Sequence, residues 1–335
     1  MGNNIFSEIK NATKSFLVSV ISFPKWCRKQ IHHLKNDLDN LRFKLKDITN
    51  SNMELGIFHL KRGNYKDAIF RFKLIDKYLD PGNKIANYWL GWVYLVREDY
   101  KNAIICLTKA ENEDKTHLLS FIKAIDKMQS VPPEIHAIHR DIKALDFIDK
   151  VTGNEENIPK SLVIELNKVM KGLPPEYQVL ELGSNVGLLG YEIRKRMPGT
   201  FQLTPTEISA EMINLQPIIF PDQYLYDKVL QTPVNEYLKK AEQKYDIVFS
   251  LNGFAFASDL KETFHNVFSL LNQGGYFAFT VRSSEDSGLS GKLLEFVYKE
   301  AYVSAVLQET GFKVLASKKF SLAMQGNYTI FICVK

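Results

Sequence analysis

The chain has 335 residues, of which 45% are apolar and 24% charged, so its length allows two domains and its composition excludes wholesale disorder. Its net charge of +5 resides in residues 1–50, which hold nine Lys or Arg and four acidic residues, whereas residues 51–335 hold 34 of each sign. Nucleic-acid binding needs a basic face, so this neutral body argues against a nucleic-acid partner. The three cysteines Cys27, Cys106 and Cys333 lie far apart, which argues against a disulfide framework and predicts a cytoplasmic location.

Residues 1–48 are predicted to form a basic amphipathic arm of two helices broken near Pro24. Apolar residues of the first helix share one face: Ile5, Ile9, Ala12, Phe16 and Val20. The apolar run 16–23 is too short to span a bilayer. Two interpretations stay open. Either the arm packs on the protein's own helices, or residues 1–30 make a weak, peripheral contact with an anionic membrane.

Residues 49–130 contain an internal repeat with a shift of 35 residues. The first unit has Leu55, Gly56, Gly63, Tyr65, Ala68 and Phe72, and the second has Leu90, Gly91, Glu98, Tyr100, Ala103 and Leu107. This pattern resembles tetratricopeptide helix pairs, in which small residues let two helices approach closely. A helix over 117–128 is predicted to start a third, degenerate pair. Such arrays bind proteins or serve as scaffolds, so the sequence leaves a protein partner and a purely structural role open.

Residues 131–174 are predicted to be a helical linker that starts at Pro132 and Pro133 and contains a loop at 152–154. His136 and His139 are three residues apart, a spacing that occurs in metal sites. No carboxylate motif completes such a site, so we predict a solvent-facing pair and no metal.

Residues 175–335 open with a short apolar strand over 179–182, a glycine-rich turn over 183–187 and a helix from about Leu188. A second strand is predicted at 201–204, with Glu207 after it, and a third at 226–229. A strand, a glycine turn and a helix N-terminus form a nucleotide pocket, and an acidic residue about 20 positions later is placed to bind ribose hydroxyls. The last two strands, at 311–315 and 328–334, are predicted to pair as a hairpin.

Four segments in order resemble the motifs of class I S-adenosylmethionine-dependent methyltransferases, namely 179–190, 207–212, 245–250 and 271–277. Together with the repeats, residues 50–335 resemble a bacterial group of tetratricopeptide-containing methyltransferases. The resemblance implies an α/β, Rossmann-like, seven-stranded methyltransferase domain preceded by an all-α tetratricopeptide-like domain. Asn185 stands where the family has its middle glycine. Since Asn tolerates a left-handed backbone best among non-glycine residues, we expect the turn to survive.

The resemblance implies S-adenosyl-L-methionine as cofactor and a set of residues around it. These are Glu181, Gly183, Ser184, Asn185, Gly187, Glu207, Ile208, Met212, Thr232, Ser250, Leu251 and Asn252. Glu181 is expected to face the amino group of the cofactor, Glu207 the ribose and Met212 the adenine. Phe254 and Phe256 either face the sulfonium or pack in the core. Arg282 either faces the substrate or belongs to a solvated loop over 283–290.

The sulfonium is already an activated methyl donor, so the protein needs mainly to orient the reactants and exclude water. A general base is needed only for an acceptor whose proton has a high pKa, and the sequence identifies no catalytic residue. The prediction is methyl transfer to an unidentified O or N acceptor. The alternative is a scaffold or assembly factor that binds the cofactor without turnover, which is motivated by Asn185 and by Pro233 where the family has an acidic residue.

Overall fold

The computed structural model describes residues 48–152, 158–226, 228–290, 294–322 and 326–335. The predicted amphipathic arm and most of the predicted loop at 152–154 therefore lie outside the described residues. By its contacts the chain divides after Glu54 into two units, and residues 55–335 form the second. Within the described part of the chain, no helix is long and apolar enough to cross a membrane.

Helices fill the first half of the described chain. They are α1 (Ile48–Lys61), α2 (Tyr65–Leu74), α3 (Lys84–Leu95), α4 (Tyr100–Ala110), α5 (Leu118–Lys123), α6 (Pro133–Thr152) and α7 (Ile158–Val169). Side chains cap two of them, because Asn83 accepts from the Ala86 amide at 2.8 Å and Asp99 from the Asn102 amide at 3.2 Å. The single helix predicted over 117–128 is wrong. It ends at Lys123 because Ala124 leaves the helical region at φ −112°, and a 3₁₀ turn follows.

Two glycines bring the paired helices close at equivalent points of the repeat. A Cβ placed on Gly56 would lie 2.5 Å from the ring of Phe72, and one on Gly91 would lie 2.5 Å from the side chain of Leu107. The two contacts join α1 to α2 and α3 to α4, and they are related by the same 35-residue shift as the sequence repeat. The small residues of the repeat therefore have a packing role.

The second half forms a seven-stranded sheet with helices around it. The strands are β1 (Glu176–Leu182), β2 (Thr200–Glu207), β3 (Leu230–Gln231), β4 (Tyr245–Leu251), β5 (Leu271–Ser283), β8 (Lys313–Leu322) and β9 (Gly326–Val334). A small two-stranded sheet pairs β6 (Gly288–Ser290) with β7 (Glu295–Val297). The helices are α8 (Leu188–Arg196), α9 (Ala210–Ile219), α10 (Val234–Lys240), α11 (Lys261–Leu270) and α12 (Glu300–Thr310).

The strand order is β3-β2-β1-β4-β5-β9-β8. The first five strands are parallel, and β9 is antiparallel to both β5 and β8. The predicted seven-stranded α/β fold and its closing hairpin are confirmed. Leu182 of β1 pairs with Thr206 of β2 and with Ser250 of β4, so the carboxyl ends of three parallel strands meet at one edge, where ligands bind in such sheets.

The sheet is buried by apolar side chains from the helices. Leu162 and Leu166 of α7 and Ile193 of α8 pack in one cluster with Val179 and Ile247 of the sheet. A separate group of phenylalanines joins α11 to the sheet through edge-to-face contacts, as between Phe264 and Phe277 at 5.4 Å. These two layers fix the strand ends that carry the site.

Two details of the sheet differ from the prediction. The third strand is Leu230–Gln231 and not 226–229, because only these two residues pair with β2, opposite Thr206 and Glu207. Tyr226 lies outside the strand and donates its hydroxyl to Glu181. The predicted loop over 283–290 contains a strand, β6.

Candidate active site

The turn after β1 has a left-handed backbone at three positions. The φ angles are +78° at Gly183, +52° at Asn185 and +87° at Gly187. The amides of Gly183 and Ser184 both donate to the carbonyl of Thr206, at 3.0 and 2.8 Å, which ties the turn to the end of β2. Asn185 donates its side-chain amide to the Gly183 carbonyl at 2.7 Å. The expectation that Asn185 preserves the turn is confirmed by its backbone angle.

Glu207 ends β2 beside this turn and is 2% exposed. Its Oε2 accepts from the Asn185 amide at 2.7 Å. Its Oε1 accepts from the amides of Ile208 and Ser209, at 3.1 and 2.9 Å. Three backbone amides therefore hold the carboxylate at the strand end, as expected of a buried charged group.

Helix α6 adds a cation to the same place. The Arg140 Nε lies 3.6 Å from Glu207 Oε1. Its Nη2 donates to Asn185 Oδ1 and lies 3.7 Å from Met212 Sδ. On the next residue, the Asp141 carboxylate accepts from the Ser209 hydroxyl at 2.6 Å and from the Glu211 amide at 3.2 Å. The predicted linker is thus attached to the strand-end loops by two adjacent charged residues.

A pocket of about 240 Å³ opens at this edge of the sheet. Six of the twelve predicted cofactor residues line it, namely Gly183, Asn185, Glu207, Ile208, Leu251 and Asn252. The other six are Glu181, Ser184, Gly187, Met212, Thr232 and Ser250, which lie around these positions without lining the pocket. The structure therefore brings the predicted residues to one place but separates a lining set from a supporting set.

The supporting residues hold the turn and its neighbours. The Ser184 hydroxyl accepts from Gln216 at 3.0 Å, and the Ser250 hydroxyl donates to the Leu182 carbonyl at 2.9 Å. The Thr232 amide donates to the Glu207 carbonyl at 3.0 Å. Met212 is buried in a cluster with Val186. Gly187 directly precedes α8, and a Cβ placed on Gly187 would lie 2.9 Å from the side chain of Leu225.

Glu181 is fully buried. Its Oε2 accepts from the Tyr226 hydroxyl at 2.7 Å, and its Oε1 has no hydrogen-bond partner among the described residues. Burial raises the pKa of Glu181 to about 8, with a further contribution from the charge of Glu207 and an opposing one from the Tyr226 hydrogen bond.

The loop after β4 is fixed by Asn252, which has a left-handed backbone at φ +55°. Its amide donates to Thr280 at 2.9 Å, and its side chain donates to Glu295 at 3.2 Å and accepts from the Arg282 amide at 3.2 Å. Arg282 also pairs with Glu295, at 3.5 Å, and is 14% exposed. The interpretation of Arg282 as part of a solvated loop is wrong, because these contacts hold it against Asn252 and Glu295, which line the pocket.

The two phenylalanines of this loop have different roles. Phe254 is 1% exposed and packs edge-to-face on Phe264, so its core interpretation is confirmed. Phe256 lines the pocket, and its ring centroid lies 6.4 Å from that of His136.

Sequence reasoning missed the wall that the linker contributes. The residues involved are Val131, Pro133, His136 and Arg140 of the linker, together with Ser130 just before it. The Val131 amide donates to the Phe256 carbonyl at 2.8 Å, which fastens the wall to the loop after β4. The available signal was the spacing of His136 and Arg140, which places two polar side chains on one face of a helix.

The prediction of a solvent-facing histidine pair is wrong. His139 is 4% exposed and His136 lines the pocket, because α6 packs against the strand-end loops. Burial, together with the nearby charge of Arg140, lowers the pKa of His136 to about 3, so this imidazole is neutral at pH 7. In the part of the chain that the structure describes, no group of three or more His, Cys, Asp or Glu side chains could hold a metal ion.

Comparison with known proteins identifies the domain around this site. Residues 179–275 match the family model of a methyltransferase domain, which confirms the predicted domain type. A curated relative, malonyl-[acyl-carrier protein] O-methyltransferase 1 from Ilyobacter polytropus, is 28% identical over 39% of this chain and 47% of its own length. The chain thus spans about half the length of this relative.

Solved structures with a similar arrangement include two methyltransferases. Magnesium protoporphyrin IX methyltransferase from Synechocystis, solved with bound SAH, has a TM-score of 0.47 at 15% identity, over 61% of this chain and 99% of its own. An S-adenosylmethionine-dependent methyltransferase from Mesorhizobium loti has a TM-score of 0.39 at 13% identity, over 55% of this chain and all of its own.

Proposed function

We propose that this protein is an S-adenosylmethionine-dependent methyltransferase that transfers a methyl group to an unidentified O or N acceptor. The observation that carries the proposal is the meeting of the left-handed turn at Gly183 and Asn185 with the Glu207 carboxylate in one pocket. The match of residues 179–275 to a methyltransferase domain supports it. The curated relative is named for O-methylation of an acyl-carrier substrate, and we propose no acceptor from that name.

The pocket residues fit this cofactor. Because Gly183 has no side chain, the cofactor could approach its backbone closely; a Cβ there would lie 3.4 Å from the Gly253 Cα. Glu207 would accept from the ribose hydroxyls, and Ile208 and Leu251 would offer apolar contact to the adenine. Asn252 is fixed by three hydrogen bonds and would lie beside the sulfonium. When bound, the cofactor supplies a methyl group that is already activated.

The remaining chemistry is orientation and exclusion of water. The wall that includes Val131 and His136 closes one side of the pocket. Because the pKa of His136 is lowered to about 3, its neutral imidazole offers the acceptor a hydrogen-bond partner without adding a positive charge next to the methyl donor. We assign no general base.

For the helical half we propose tetratricopeptide-like repeats over 49–130 that serve as scaffold or bind a protein partner, joined by the linker 131–174 to the catalytic domain 175–335. For residues 1–30 we propose at most a weak, salt-sensitive contact of an otherwise cytoplasmic protein with anionic membranes. Sedimentation with anionic liposomes tests the latter. The full chain should pellet more than a chain that starts at Ile48, and only at low salt.

Calorimetry tests the cofactor assignment. The wild-type protein should bind S-adenosylmethionine and S-adenosylhomocysteine and should not bind NAD. Gly183→Arg should abolish binding because the side chain would enter the pocket, and Glu207→Ala should weaken it because the ribose hydroxyls lose their acceptor. Glu236→Ala is the matched control, since this carboxylate on α10 is half exposed and pairs only with Lys240 among the described residues. Binding of NAD alone would contradict the proposal.

Turnover needs a separate experiment, because a scaffold that binds the cofactor would pass the calorimetric test. Tritium transfer from labelled S-adenosylmethionine to a cell lysate separates the two functions. The proposal expects a labelled acceptor with the wild-type protein and none with Gly183→Arg. Cofactor binding without any labelled product would favour the scaffold.

A further inference from the structure

The Glu207 carboxylate is almost saturated with hydrogen-bond donors. An ionised carboxylate offers about four lone-pair sites. Three are used by the amides of Asn185, Ile208 and Ser209. A guanidinium nitrogen of Arg140 lies 3.6 Å from Oε1. In this arrangement only one site, on Oε2, remains for a further donor, although a ribose presents two hydroxyl groups.

Arg140 occupies its position through several contacts. It is 16% exposed, it lines the pocket, and it donates to the side chain of Asn185 as well as facing Glu207. The guanidinium therefore lies beside the carboxylate that the ribose hydroxyls need. As a cation 3.6 Å from Oε1 it competes with them for the negative charge of Glu207 and for the space next to it, without using the free site on Oε2.

We propose that Arg140 is a gate at the ribose position, and that cofactor binding displaces its guanidinium from Glu207. This inference rests on the proposed function, because it assigns Glu207 to the ribose. The Asp141 contacts with Ser209 and Glu211 leave the backbone of α6 in place, so the displacement is a movement of one side chain. The linker helix α6 thereby sets the affinity of the catalytic domain for its cofactor.

Thermodynamic linkage predicts that removing the gate affects the melting temperature differently with and without ligand. An interaction that exists only without the ligand stabilises the ligand-free protein and weakens binding by the same free energy. Arg140→Met keeps the length of the side chain and removes its charge. The variant should therefore melt at a lower temperature than the wild type without ligand, and at the wild-type temperature with saturating S-adenosylhomocysteine. Its affinity should rise about fivefold or more.

Arg196→Met is the matched control. Arg196 forms an ion pair with Glu192 within α8, its side chain is 25% exposed, and it does not line the pocket. Its removal should lower the melting temperature by the same amount with and without S-adenosylhomocysteine. Arg140→Lys is the second test variant. It retains a cation but cannot contact Glu207 and Asn185 with a planar guanidinium group. Its melting temperature without ligand should therefore fall, and its affinity for S-adenosylhomocysteine should rise, both by less than in Arg140→Met.

The experiment measures melting temperature and calorimetric affinity for the full chain with S-adenosylhomocysteine. Equal destabilisation of Arg140→Met with and without ligand, or weaker binding, would overturn the gate and show that Arg140 supports the fold or the bound cofactor. If Arg140→Met does not fold, unchanged or weaker binding by Arg140→Lys would overturn it. A wild-type protein that does not bind S-adenosylhomocysteine would instead contradict the proposed function, and the gate with it.

Discussion

The hydroxyl of Tyr226 donates to the buried carboxyl group of Glu181 over 2.7 Å. Gly190 makes this possible, because a Cβ at that position would lie 2.0 Å from the Tyr226 hydroxyl oxygen. Burial raises the pKa of Glu181 to about 8 and that of Tyr226 well above its usual value. At pH 7 this pair is mostly neutral, although it lies next to the turn that we assign to the cofactor.

The pair predicts a pH-dependent effect of Glu181→Gln. The folded state retains the Glu181 proton up to about pH 8, whereas the unfolded state loses it above about 4.5. Wild-type stability from this group is therefore present at low pH and lost as pH rises from 4.5 to 8. Glutamine does not titrate and can still accept from Tyr226. The variant should gain free energy of unfolding relative to wild type between pH 5 and pH 8, as measured by urea unfolding.

Glu236→Gln is the control for Glu181→Gln, because Glu236 is half exposed. The comparison separates the effect of a buried carboxyl group from that of replacing a glutamate by glutamine at an exposed position. A difference for Glu181→Gln that is the same at pH 5 and pH 8 would show that the Glu181 carboxyl is ionised in the folded protein.

Asn185 gives a second prediction, about backbone strain. Asn185→Ala and Asn185→Gly both remove the side-chain contacts with Gly183 and Arg140. They differ in their tolerance of φ +52°. The alanine variant should therefore be less stable than the glycine variant by about 1 kcal/mol. Chemical denaturation of the two variants measures this difference, and equal stabilities would show that the turn relaxes to another conformation.

His139 gives a third prediction, with the opposite pH dependence to Glu181. Burial, and then the charge of Lys143, lowers the pKa of His139 well below its usual value. The unfolded state binds a proton below about pH 6.5 and the folded state does not. This stability is present above pH 6.5 and is lost as pH falls. As pH falls below 6.5, His139→Leu should lose less free energy of unfolding than the wild type, by at most about 1.4 kcal/mol per pH unit.

The comparison for His139→Leu is His265→Leu, at an exposed histidine of α11. Between pH 7.5 and pH 5, urea unfolding should show a smaller loss of free energy of unfolding for His139→Leu than for His265→Leu. The slope should not vanish, because His136 also has a lowered pKa. Identical slopes in the two variants would contradict the burial of a neutral His139.

The sequence was sufficient for the features that depend on local backbone chemistry. Gly183 and Gly187 predicted the turn, and Glu207 at the end of β2 predicted the facing carboxylate, because parallel strands place their carboxyl ends together. The spacing of His136 and Arg140 shows that they share a helix face, but the contact of Arg140 with Asn185, 45 residues away, could not be predicted, because no local pattern encodes the docking of α6. The misplaced third strand has the same cause, because Tyr226 is fixed by its distant partner Glu181.

The repeat gives the last prediction, at Gly91 and its counterpart Gly56. A Cβ on Gly91 would lie 2.5 Å from Leu107, so Gly91→Ala should push α3 and α4 apart. The overpacking should lower the free energy of unfolding by about 1–3 kcal/mol. The better helix propensity of alanine offsets about 1 kcal/mol of this loss. Gly56→Ala, which would meet Phe72 at 2.5 Å, should have the same sign. Gly288→Ala is the control, because no residue that the structure describes lies within 4 Å of the position of its Cβ.

A double-mutant cycle decides whether the loss at Gly91 comes from this contact. Leu107 is fully buried, so Leu107→Ala alone should cost about 2–5 kcal/mol. In the Gly91→Ala background the new methyl group partly fills the space that leucine leaves, and the second substitution should cost at least about 1 kcal/mol less than in the wild type. Strict additivity of the two free energies of unfolding would show that the helices do not meet at this glycine, and would remove the packing argument for the repeat.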